Sequence, residues 1–139
     1  MEQGLLIAFY IIMVHYVADF VLQNEEMATR KSKDFGMLIM HTMVYSFSWI
    51  LGAAFLFSVD CDYSIFGKCV DTVKAFKFVG ITFVMHTLTD YLTSRWTSKL
   101  FANKTYYTGI PNFGAFSAIG LDQVLHYAQL FLTFYYLSK

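Results

Sequence analysis

The stretch LLIAFYIIMVHYVADFVL, residues 5–22, decides the fold class. A helix needs roughly 20 mainly apolar residues to cross the hydrocarbon of a bilayer. This run has that length, yet its second half holds His15 and Asp19. Ionisable groups are costly in hydrocarbon, and where they occur they face a protein interior or a water-filled cavity. The stretch therefore predicts a membrane helix with a polar task on one face. Glu2 stands where a signal peptide has a basic n-region, and no small-residue cleavage site follows, so the segment reads as retained.

Composition agrees. Of the 139 residues, 57% are hydrophobic and only 14% are charged, against about 25% charged in an average soluble domain. Three further runs match the first in length and character: residues 37–58, 75–92 and 119–137. Lys77 interrupts the third and is placed to snorkel from its end. The expected fold is all-α: one domain, residues 1–139, forming a bundle of four transmembrane helices. Each helix satisfies its own backbone, as lipid demands.

Polar connections lie at 23–36, 59–74 and 93–118. The longest holds Gly109, Pro111 and Gly114 and is expected to bend or partly re-enter. The first carries Arg30, Lys31 and Lys33, the third Arg95, Lys99 and Lys104, and the middle one Lys68, Lys74 and, at its edge, Lys77. By the positive-inside rule the first and third loops lie in the cytoplasm, with both termini outside a bacterial inner membrane. Ten Lys and Arg balance ten Asp and Glu with no basic block, so nucleic-acid binding has no electrostatic support. Cys61 and Cys69 match no common zinc motif. Two free thiols are favoured over a loop-closing disulfide, which would require an oxidising compartment on that side.

Each span holds one histidine: His15, His41, His86 and His126. Three have an aspartate four residues away, giving the pairs His15 with Asp19, His86 with Asp90, and Asp122 with His126. On a helix such pairs point the same way. Spans alternate in direction, so the ends of odd spans and the starts of even spans share one side. All seven groups then fall at one depth, whichever way the chain is inserted. Polar stripes agree: His41, Tyr45, Ser48 and Gly52; Thr82, His86, Thr89 and Thr93; Asp122, His126, Gln129 and Thr133.

A single His–Asp pair is as readily a structural hydrogen bond between helices as a ligand pair. Three pairs and a fourth histidine at one depth tip the balance, because clustered buried carboxylates need positive charge. The seven residues are therefore the expected metal ligands. Mixed imidazole and carboxylate donors suit zinc first, with manganese or iron as alternatives, and disfavour calcium. Seven donors exceed the needs of one ion. Either two metals sit close together, or some aspartates only orient the histidines. Asp19, Asp90 and Asp122 are the candidate catalytic carboxylates, a spare one serving as general base. Gln23 and Gln123 flank the cluster as possible hydrogen-bond partners. Arg30, Lys31 and Arg95 are expected to fix topology rather than to meet a phosphate.

HYVADFVLQ (15–23), MATRKSKDFGMLIMH (27–41), MHTLTDY (85–91) and LDQVLHY (121–127) together resemble the signature of a known family. It is the domain of unknown function 3307 family, small integral-membrane proteins of bacteria and their phages. The resemblance supports the site and supplies no reaction. More distantly, the His-x-x-x-Asp pairs are similar to those of membrane-bound metal-dependent hydrolases and of the all-helical zinc phospholipase C and nuclease class. That is an analogy of motif. Three functions follow in order of preference. The first is a metal-dependent hydrolase acting on a phosphoester or lipid-like substrate. The second is a non-catalytic interaction protein with a structural metal, acting on a host membrane protein. The third is a proton or metal-ion transporter, whose pore would need a homo-oligomer.

Overall fold

A computed structural model describes residues 2–60, 68–103 and 113–139. Cys61, Lys104, Gly109 and Pro111 lie outside the described residues, and with them the expected bend of the third connection. Helix α1, Glu2–Tyr16, continues directly into a π-helical turn, Val17–Val21. A short helix α2, Glu25–Arg30, leads to α3, Phe35–Leu56. A small antiparallel hairpin follows, β1 (Ser58–Asp60) with β2 (Lys68–Val70), pairing Val59 with Cys69. Two long helices complete the chain: α4, Thr72–Asn103, and α5, Phe113–Ser138. The all-helical expectation holds.

Among the described residues, two helices are long and apolar enough to cross a membrane, Gln3–Val21 and Phe35–Leu56. The expected third and fourth spans lie inside α4 and α5, but α4 runs on to Asn103. The connection expected at 93–118 is thus helical at both its ends. Thr93, Ser94, Arg95, Thr97, Ser98 and Lys99 are polar enough to resemble a loop, yet no Gly or Pro interrupts them, so the helix continues. Cys69 is disulfide-bonded, which corrects the preference for free thiols. The spacing alone carried no redox information.

The loop between α1 and α3 is shaped by two caps. The Asn24 side chain accepts from the Met27 N–H at 2.8 Å, and Glu25 and Glu26 sit in the first turn of α2, where the helix dipole favours them. Asp34 caps α3 by accepting from the Gly36 N–H at 2.8 Å. Asn24→Ala should cost about 1 kcal/mol of stability, read as a lower midpoint in thermal unfolding.

The apolar core gathers Ile11, Ala18, Tyr45, Trp49, Ala53, Phe57, Phe78 and Leu130. Gly52 lets α1 approach α3. A Cβ there would lie 2.9 Å from the ring of Trp49 and 3.3 Å from Val14. The other buried layer is polar: His15, Asp19, His41, Thr82, His86, Asp90 and His126 are all enclosed.

Candidate metal centre

The site is assembled from five elements. The last turn of α1 supplies His15, and the π-helical turn supplies Asp19. The first turns of α3 supply His41, the middle of α4 gives His86 and Asp90, and the first half of α5 gives Asp122 and His126. The structure brings all seven together. π-helical turns recur at functional sites because they re-aim a side chain. Here the turn is closed by Leu22 N–H donating to Val17 C=O at 3.0 Å, and Asp19 points inward from it.

The tightest group is Asp19, His41, His86 and Asp90. Each offers one ligand atom, all four atoms lie within 4.8 Å of one another, and all four residues are buried. Four neighbours converge on His41 Nε2: Asp90 Oδ2 at 3.0 Å, Asp19 Oδ1 at 3.1 Å, His86 Nε2 at 3.2 Å and Lys31 Nζ at 3.3 Å. An imidazole nitrogen makes one hydrogen bond, as donor or as acceptor. It cannot satisfy four groups. Asp19 Oδ1 is buried and makes no well-formed hydrogen bond despite its short contacts. Convergent donor atoms left unsatisfied fit a cation among them.

His15 differs. Its Nδ1 lies 2.8 Å from the Tyr45 hydroxyl and its Nε2 lies 2.8 Å from Gln123 Oε1. The donors and acceptors form a consistent chain. Tyr45 O–H donates to Nδ1, and Nε2–H donates to Gln123 Oε1. The Gln123 amide donates in turn to Asp19 Oδ2 at 3.2 Å and Asp122 Oδ2 at 3.0 Å. His15 also belongs to a ligand-capable group with Asp19 and His126, but both its nitrogens are engaged. Its part is to orient Gln123 and, through it, two carboxylates. Gln123 is therefore central to the site, where sequence placed it only at the edge.

Lys31 is the residue that sequence reasoning misplaced. Its ammonium reaches Asp90 Oδ2 at 2.9 Å. Burial works against its charge, but Asp90 and Asp19 outweigh burial and raise its pKa above the ordinary lysine value. The neighbouring bases stay outside. Arg30 forms exposed pairs with Glu26 and Asp34, and Arg95 stacks on the Tyr91 ring at 3.8 Å. Nothing in the sequence separates Lys31 from them except the helical turn that carries it.

A cavity of about 360 Å³ opens against the centre. Asp19, Asp90, Asp122, Gln123 and Lys31 line it together with Thr29, Ser32, Thr97 and Ser98, and Phe20, Phe101 and Ile119 add apolar wall. Gln23 also lines it, with Oε1 buried and unbonded.

An all-helical chain with a buried centre of histidines and aspartates, able to hold a metal ion, is the class of protein that fold and site define. Residues 6–139 match the model of the family described as Protein of unknown function (DUF3307), and the chain belongs to that family. No curated protein and no solved structure matches it.

Proposed function

We propose that the chain is a four-span integral-membrane hydrolase. It binds a divalent metal, zinc first, at Asp19, His41, His86 and Asp90, and cleaves a phosphoester or lipid-like substrate. The observation that carries this reading is the convergence on His41 Nε2. Ligand chemistry of this kind suits zinc, manganese or iron.

The four-span placement is supported by an inverted distribution of side chains. Large apolar residues stand outward on all four long helices: Leu5 at 73% exposure, Leu51 at 79%, Phe76 at 71% and Tyr136 at 69%. Inside, a layer of buried histidines and aspartates lies against the apolar core. A soluble protein rarely exposes so much contiguous apolar surface, whereas lipid covers it. Arg30, Lys33, Arg95 and Lys99 lie on the side that this reading gives to the cytoplasm. The disulfide-bonded Cys69 lies in the middle loop, on the side of the termini, where an oxidising compartment is needed. Both features support termini outside the cytoplasm of a bacterial inner membrane.

Catalysis is favoured over a structural staple by the cavity. Structural metal sites are closed, while catalytic ones keep a position open. A metal here would lower the pKa of bound water and polarise the reacting oxygen. The chain's own residues do the rest. With a single ion in the tight group, Asp122, which lies outside it and faces the cavity, is the carboxylate placed to accept a proton. The Thr93 hydroxyl and the Gln123 amide hold it in place. Lys31 offers an ammonium to an anionic substrate oxygen. Transport is disfavoured on the far side of the centre, where Tyr45, Trp49, Phe78 and Leu130 pack as a plug. There the Gln129 amide donates to Thr82 at 3.3 Å and to Thr133 at 3.1 Å, tying α5 to α4.

The chain purified in detergent should carry metal by elemental analysis. It should turn over aryl phosphoesters or phospholipids in a way that chelation abolishes and zinc restores. A folded, metal-free protein that takes up no added metal would sink the reading.

A further inference from the structure

His126 is fully buried, and among the described residues neither of its ring nitrogens finds a well-formed hydrogen bond. Nδ1 lies 3.5 Å from Asp122 Oδ2 and Nε2 lies 3.8 Å from Asp90 Oδ1, distances too long or too misaligned for one. A buried imidazole normally finds a partner. His15 has two, and His41 and His86 turn their Nε2 atoms to the tight group. His126 has none, although its ring packs 4.2 Å from that of His86.

Asp90, Asp122 and His126 form a ligand-capable group of their own, one atom from each lying within 4.8 Å of the others. Asp90 belongs to both groups. Its Oδ2 faces His41 at 3.0 Å and His86 at 3.6 Å, while its Oδ1 faces His126. A carboxylate whose two oxygens turn toward two donor sets is placed to bridge two ions. We infer that the centre takes a second divalent cation at Asp90, Asp122 and His126, with Asp90 shared between the two. This rests on the first group being a metal site.

Charge ties the second ion to the substrate. Three aspartates and Lys31 leave the site net negative, and one divalent ion balances it. A second makes it positive, matched to an anionic phosphoester entering the cavity. Asp90 and Asp122 both line that cavity, as does Asp19 of the first group, so both positions open toward the substrate. A pair of ions suits displacement at phosphorus, where attacking and leaving oxygens both need positive charge.

The test uses the whole chain in detergent micelles loaded with Mn(II). After removal of excess metal, elemental analysis should give two ions per chain. Electron paramagnetic resonance should show a spin-coupled pair in place of the isolated-ion signal. The wild-type measurement needs no substitution, so it does not depend on a variant folding. His126→Ala should then retain one ion, magnetically isolated. A wild-type chain that saturates at one ion, or that holds two uncoupled ions, overturns the shared centre and leaves the first site standing. A chain that binds none overturns both.

Discussion

Substituting His41 by glutamine is expected to abolish metal binding, with affinity falling by more than the roughly 10–100-fold that loss of an outer hydrogen-bonding partner costs. The reason is geometric. His41 Nε2 is the atom toward which Asp19, Asp90 and His86 all turn, at 3.1, 3.0 and 3.2 Å. Glutamine keeps a polar amide between the two carboxylates but is a poor ligand for a divalent ion. Alanine would instead leave buried carboxylates short of a partner, at about 3–5 kcal/mol, and would confuse loss of metal with loss of fold. The measurement is a competition titration against a chromophoric chelator, with helix content followed by circular dichroism. Turnover should vanish with the metal. A His41→Gln chain that keeps its helices and binds metal as the wild type does would show that the four converging atoms are not the ligand set.

Much of this centre was legible in the sequence, and the reason is the helical period. Three His–Asp pairs at four-residue spacing fix a face, and helices expected to alternate in direction bring those faces to one level. Neither inference needs tertiary knowledge. The same local rules could not reveal the π-helical turn at Val17–Val21, because VADFV carries no propensity that distinguishes it from ordinary helix. Yet that turn aims Asp19 at His41. Nor could they show that α4 continues to Asn103: a polar run without Gly or Pro is read as loop by composition and folds as helix by propensity. His15 and His126 look alike in sequence, each one member of an i,i+4 pair. Their difference comes from α3 and α5, which bring Tyr45 and Gln123 to His15, while no residue among those described makes a well-formed hydrogen bond to His126. Such distinctions live in long-range packing, which a single sequence does not print.

Lys31 should prove to be an internal rival of the metal, and Lys31→Met should bind the ion about tenfold more tightly, a change of about 1.4 kcal/mol. The ammonium lies 2.9 Å from Asp90 Oδ2 and 3.3 Å from His41 Nε2, so it shares the atoms that a cation would use. Its raised pKa keeps it charged there. Methionine fills the same volume without charge and frees both atoms. The same substitution should act oppositely on turnover. If the ammonium swings from Asp90 to an anionic substrate once the metal is in place, its loss removes one charge-assisted contact, and kcat/KM for a phosphoester falls roughly ten- to a hundredfold. A neutral ester would lose little. Tighter metal with poorer anionic turnover is a combination that a merely structural lysine would not produce, since misfolding lowers both together. Weaker metal binding in Lys31→Met would mean that the lysine holds the ligands in place instead of competing for them. Equal effects on charged and neutral substrates would separate it from the substrate altogether. Loop one, with α2 capped by Asn24, then becomes the element that decides when the centre is loaded, because its position sets how far Lys31 reaches.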